Sequence, residues 1–443
     1  YRQGNAVSTA SYEYDELGRV KASVDPNAGR TETDYNGLGE PTELRRPSGE
    51  HIRFERDALG RITRRYLATG ATLATYEWDT SPNGIGLPSG TASRDGVTTA
   101  ETYDAHARPA GTGWVVRRPD GSLDRFGTAQ TYDQFGRLDV LTYPAVQTGV
   151  GPDIGTAVRY VYDQKTGAVE SVRDVATGDA YWVATMRDEF GRPVREDFGK
   201  KADSFGVLGP ESYAWTSRDY YPVNGGLRTL STYAQDAAGT RLVQGLAYEY
   251  DRNFNVTKRT DFSTPEADAI VDGFTYDDMD RIRTWYRPGP NGGTTNGPWS
   301  VHYGIDELGN MTSRMVAKQP EGGGAQTGFE SVVFDYGGAK THAPTAMRWT
   351  LENGMPTSRS TSFEYDGAGR QHRRWGDEVE YNEVDLPTVY RKAGGGELGF
   401  KYDAAGTRVW KGAGTGPNEV STTYVGGLYE QRREGNTREH VFY

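Results

Sequence analysis

The chain has 443 residues, a net charge of −11 and a mean hydropathy of −0.74. That charge argues against nucleic acid as a partner of the whole surface, zero cysteines exclude disulfides and thiolate metal sites, and no stretch approaches the roughly 20 apolar residues of a membrane span. A hydrophobic fraction of 35% with 58 glycines would fit disorder, yet 29 Tyr, 14 Phe and 9 Trp spaced between turn residues provide contact surfaces that disordered chains lack.

In chain order, the first legible element is "SYEYD" at 11–15, where Tyr12 and Tyr14 fall two apart and share a strand face. Asp15 then opens a turn, Gly18 supplies a residue tolerant of positive φ, and Arg19-Val20 re-enters an extended run, so the unit is a β-hairpin. A second turn, "DPNAG" at 25–29, closes it. "YDELGRV" at 14–20 then returns as "YNGLGEP" from Tyr35, "RDALGRI" from Arg56, "YDAHARP" from Tyr103, "YDQFGRL" from Tyr132, "YDQKTGAV" from Tyr162 and "RDEFGRP" from Arg187. The motif fades between 200 and 245, where an irregular insertion or a turn of the spiral is expected. It resumes as "YDRNFNV" from Tyr250, "YDDMDRI" from Tyr276, "IDELGNM" from Ile305, "YDGAGRQ" from Tyr365, "YNEVDLP" from Tyr381 and "YDAAGTRV" from Tyr402. "RPGPNGGTTNGP" at 287–298 and "QPEGGGAQTG" at 319–328 read as long hairpin loops.

Repetition at 21 to 30 residues marks an array whose unit cannot bury its own faces. Successive hairpins at about 4.8 Å should set each tyrosine beside the previous one as a ladder of rings, the hydroxyls finding water or an aspartate. The expected architecture is all-β: antiparallel hairpins in a long coiled sheet one layer thick, continuous over 1–443. On this reading the repeated residues are structural: Tyr14, Asp15, Gly18, Arg19, Tyr132, Asp133, Gly136, Arg137, Tyr250, Asp251, Tyr276, Asp277, Tyr365, Asp366, Gly369, Arg370, Tyr402, Asp403 and Gly406. Copies lacking the tyrosine (Arg56, Arg187, Ile305) or the turn glycine (Phe254, Asp280) should be local irregularities.

No motif carries chemistry. The six histidines, His51, His106, His302, His342, His372 and His440, lack metal-ligand spacing and read as surface or packing residues. "GGGELG" at 394–399 imitates a dinucleotide fingerprint, but a strand follows at once where a helix is required. Asp277, Asp278 and Asp280 cluster without the Gly and closing Glu of a calcium loop. "NVT" at 255–257 and "NMT" at 310–312 fit the glycosylation sequon. No catalytic, metal-binding or cofactor-binding residue is expected, and no cofactor.

The tyrosine-aspartate, glycine, arginine pattern of "YDELGRV", "YDQFGRL" and "YDGAGRQ" resembles that of the YD-repeat (RHS-repeat) proteins: bacterial Rhs polymorphic toxins, C components of insecticidal Tc toxins, wall-associated toxins and animal teneurins. The resemblance implies a hollow β-shell that encloses a C-terminal toxin domain, and the tail at 423–443 looks like the segment before the conserved core of Rhs proteins. It further implies a fragment truncated before that core, a non-enzymatic scaffold whose partners are its own toxin domain and a delivery machinery, and secretion from a bacterium. The family's self-cleavage residues have no counterpart here, since "DPNAG" at 25–29 is the second turn of a repeat. A cell-surface adhesion or glycan-binding role, as in teneurin-like use, is the alternative.

Overall fold

A computed structural model describes residues 2–3, 6–145, 155–263, 269–287, 299–318, 329–353, 355–415 and 418–443. Loops 288–298 and 319–328 therefore lie outside the described residues. Among the described residues there is no α-helix. From Ser11–Tyr14 to Thr437–Phe442 every strand pairs antiparallel with the next one in sequence, giving a single 35-strand meander. Its first and last strands each have one partner, so the sheet is open. Arg2–Gln3 and Ala6–Val7 form a separate two-stranded piece.

Strict alternation of direction puts every motif turn on one rim of the ribbon and every second turn on the other. At the motif rim the register slips by one residue: Glu13 faces Ala22 while Tyr14 faces Val20, and Thr131 faces Val140 while Tyr132 faces Leu138. The turn thus ends in a β-bulge that re-aims the tyrosine and adds twist. Copies without tyrosine keep it, at Arg56 opposite Ile62, at Arg187 opposite Pro193 and at Ile305 opposite Met311. They are regular members of the array, contrary to expectation. At 200–245 the opposite rim carries a loop with a small bridge, Ala202 to Leu208, after which the ladder resumes at Ala214–Tyr220 and continues in the long strands Leu227–Asp236 and Gly239–Tyr250.

The ribbon coils back on itself. Residues about 300 apart touch: Lys340 Nζ donates to Asn27 O, Ser93 Oγ to Tyr402 O, Arg118 to Glu419, and Tyr143 Oη to Tyr443 O. About 24 strands separate a turn from the one that returns over it. At about 4.8 Å per strand, one circuit is roughly 115 Å long and, if round, roughly 37 Å across. Eight strands suffice to fill a barrel with side chains, so a circuit this wide surrounds space rather than a core. Where a core does exist, it spans the coils. Val97 and Val116 of the first coil pack with Val409 and Trp410 of the second, and Leu428 packs against Leu141, Tyr143 and Val158.

Candidate functional site

The repeated node is built from one short segment. In "YDQFGR", Gly136 N–H donates to Asp133 O and Asp133 N–H to Arg137 O, which closes the turn. The Asp133 carboxylate accepts the N–H of Phe135 and of Arg137 on Oδ1, each at 2.9 Å, and Arg137 Nε on Oδ2 at 2.7 Å. Held by this fork, the Arg137 guanidinium lies 4.1 Å from the ring centre of Tyr162 in the next repeat. Tyr162 Oη then donates to Leu138 O at 2.8 Å. Each node therefore locks its own turn and grips its neighbour.

The same aspartate–arginine fork recurs at Asp15 and Arg19, Asp104 and Arg108, Asp188 and Arg192, Asp277 and Arg281, and Asp366 and Arg370. Arginine over the next tyrosine recurs at Arg19 on Tyr35, Arg108 on Tyr132 and Arg370 on Tyr381. The expected ladder of tyrosine on tyrosine is thus replaced by a chain in which arginine alternates with tyrosine. The reason is geometric: consecutive motif strands are separated by a returning strand, so their rings stand two strand spacings apart. Nor do the hydroxyls turn to water or aspartate. Tyr132, Tyr250, Tyr276, Tyr365 and Tyr402 donate to the carbonyls of Pro109, Leu227, Val256, Pro344 and Pro387, one repeat back. Where the tyrosine is missing, Arg56 and Arg187 reach the equivalent carbonyls of Pro41 and Val169, and Trp78 reaches that of Ile62. Tyr14, on the edge strand, is 56% exposed.

Gly18, Gly136 and Gly369 stand at φ +79° and Gly406 at +87°. Ala107, Phe254, Asp280 and Asp385 take the same left-handed turn as non-glycine residues. Asparagine can replace the arginine half of the fork: Asn255 and Asn310 donate to Oδ2 of Asp251 and Asp306. Asp403 accepts from the N–H groups of Ala405 and Thr407, and Arg408, one residue on, lies over Tyr424. Of the acidic cluster, Asp277 belongs to its own node and Asp280 accepts from Asn253 and Asn255. Among the described residues no three His, Asp or Glu gather as metal ligands.

Electrostatics differ between node and seam. At Asp104 the bond from the Arg108 guanidinium, opposed by burial and reinforced by the turn N–H groups, lowers the carboxyl to about 2. Asp15 is lowered by the Arg19 N–H first, with the guanidinium adding to it. Along the seam, burial pushes Asp95 and Asp124 up and Lys401 and Arg433 down.

The seam residues are those that the sequence reading missed. Tyr402 N–H donates to Asp95, Lys401 Nζ reaches Asp95 O, and ion pairs join Arg46 to Asp385, Arg94 to Glu383 and Arg433 to Asp124. His342 bonds Asn310 Oδ1 and Ser8 Oγ through its ring, and its N–H donates to Asn27 Oδ1. The only signal in the sequence is that second turns such as "RPSG", "SRDG" and "RPDG" carry charge. Nothing in it says which turn they meet.

No protein-family model matches the sequence, and no curated protein does. Solved structures do. The Tc holotoxin pore of Photorhabdus luminescens, in a form carrying a TccC3 mutation, matches with a TM-score of 0.67 and 15% identity, over 98% of this chain and 22% of that one. A TcdB2–TccC3–Cdc42 crystal structure matches at 0.64 and 15% over 97% and 22%. TcdB2–TccC3 without its hypervariable C-terminal region matches at 0.65 and 14% over 98% and 22%. The chain spans about a fifth of the length of these matches. Its hairpin nodes and coiled open sheet thus give the chain a fold similar to that of a stretch of these Tc toxin structures, whose family its tyrosine-aspartate motifs resemble.

Proposed function

We propose that this chain is wall: a non-enzymatic stretch of a secreted bacterial toxin's shell that keeps a C-terminal effector out of contact with the producing cell until delivery. The observation that carries the reading is the circuit of about 24 strands in one layer, whose apolar clusters lie in the seam between coils. Likeness to structures of Tc toxin assemblies supports it. So does the use of motif carboxylates within turns, which leaves them committed to structure. The mechanism is steric, since a client inside reaches neither substrate nor protease. Its partners are that client and the delivery machinery.

The test is limited proteolysis and a toxicity assay on the full-length protein. The effector region should resist protease while the shell is intact and become cleavable once the shell is ruptured by denaturant. An effector cleaved in the intact protein as fast as when isolated would sink the reading.

A crevice of about 600 Å³ between the coils, lined by Tyr76, Glu101, Trp114, Arg408 and Tyr424, favours the glycan-binding alternative. Specific glycan binding by the chain, lost in Trp114→Ala, would decide for it.

A further inference from the structure

The ladder of this ribbon is stepped at one strand. Met355–Tyr365 pairs with Ala346–Asn353 through residues 355–362 only, and with Gln371–Arg374 through residues 363–365 only, so none of its residues is paired on both sides. Elsewhere among the described strands of the meander, adjoining ladders share at least one residue, even where the overlap is least, as at Glu32, Ala129, Gly273 and Gly399. Beside the covalent chain, the step is bridged by the backbone bond from Phe363 N–H to Thr345 O at 2.9 Å, with side-chain contacts of Tyr365 to Pro344 O and of Thr361 to Trp375 N–H adding to it. It lies where the ribbon has come once round, since Lys340 before it bonds, and Gly369 after it packs against, the same residue, Asn27.

Beyond the step the seam is loosely matched. Arg46, Arg65, Arg118, Asp124 and Trp410 reach across it, to Asp385, Ala404 O, Glu419, Arg433 and the pair Val97 and Val116. Yet Arg46 Nε, Arg65 Nε, Arg118 Nε, Asp124 Oδ2 and Trp410 Nε1 are buried with no hydrogen-bond partner among the described residues. Two gaps also lie between the coils, the crevice of about 600 Å³ at Trp114 and Tyr424 and one of about 250 Å³ lined by Asp95 and Glu383. Unpaired buried polar atoms and unfilled space both weaken an interface. The strands of the second coil are by contrast joined by an unbroken backbone ladder from Pro387–Arg391 to Thr437–Phe442. We propose that strand Met355–Tyr365 is a hinge, about which the second coil from Phe363 onward swings as one body and parts from the first along the seam with its ladders intact. Hinges are a few residues that absorb a change of backbone dihedrals, and here pairing on the two sides opposes that change least. Such a motion needs nothing inside the sheet.

The natural absence of cysteine permits single-site labelling of the whole chain. Val409, in the seam, and Val301, within the first coil, are 3% and 2% exposed. Val409→Cys should nevertheless react with a thiol reagent roughly tenfold faster than Val301→Cys, because local opening exposes only the first. Arg118→Ala, which strands the buried Glu419 carboxylate, should speed Val409→Cys by roughly tenfold again and leave Val301→Cys unchanged. Equal protection of the two thiols would overturn the hinge, as would parallel acceleration of both, which means unfolding of the whole chain. Spin-label distances give a second reading that leaves the seam residues in place. Labels at Glu77→Cys and Lys392→Cys, one on each coil, should show two separations, the longer gaining weight in Arg118→Ala. Labels at Lys392→Cys and Asn436→Cys, both beyond the hinge, should keep one. A single separation for the first pair that Arg118→Ala does not move, or a second pair that changes along with the first, would refute a swing as one body.

Discussion

In the aspartate–arginine nodes, as at Asp133, the carboxylate is used within four residues of itself, on two backbone N–H groups and one guanidinium, and the arginine so held lays its flat face on the next repeat's ring. The slot filled by the tyrosine asks for a donor at fixed reach, since arginine and tryptophan also reach the carbonyl one repeat back. Tyr276→Phe should therefore cost about 0.5–1.5 kcal/mol, the usual worth of one such bond, and Arg56→Tyr should be near neutral. Urea denaturation of both variants checks this. The pH response follows from opposite shifts. Node carboxyls such as Asp15 and Asp104 titrate lower when folded, so their stabilisation is complete above the unfolded value near 3.8 and is lost as pH falls through the folded one, about 2 for Asp104. Asp95 and Asp124 are shifted up, so they add stability as pH falls toward the unfolded value. Melting temperature should hold or rise slightly on mild acidification and drop between about pH 4 and pH 2. A steep loss near pH 6 would contradict this assignment.

At the scale of the element, the hairpin combines a turn glycine at positive φ with a one-residue bulge, and both serve to aim the tyrosine backwards. A Cβ added at Gly136 would meet nothing closer than Arg108 Nη1 at 3.6 Å, so the cost of a side chain there is conformational rather than steric contact. Gly136→Val should lose about 1–3 kcal/mol and Gly136→Asn clearly less, because asparagine tolerates the left-handed region and a β-branched residue does not. Thermal melts of the pair give the ranking. The hairpin, its Asp-capped turn and its glycine were legible in "YDQFGR" because all their causes are local. The bulge was not, since a slip of register leaves the order of residues unchanged. Nor was the interleaved arginine, which depends on how far apart two motif strands lie once a third has come between them.

For the whole molecule, the coil closes through contacts between turns about 300 residues apart, and the apolar clusters collect in that seam. Small-angle scattering of the chain should give a pair-distance distribution with a depleted centre and a width consistent with a circuit of roughly 37 Å. A profile fitted by a solid sphere of the same mass would refute the wide circuit. The amino-acid sequence by itself determined what is encoded within a repeat or by its recurrence: antiparallel hairpins, their turn chemistry, the array, and a composition too poor in aliphatics for a globular core. Only the tertiary structure decided how many strands make a circuit, which turns meet, and that Asp95, Asp124, Lys401 and His342 become seam residues. Twist accumulates in small increments over about 24 strands before the rims meet, so the pairing across the seam is set by a sum over the whole ribbon and is written in no single segment of it.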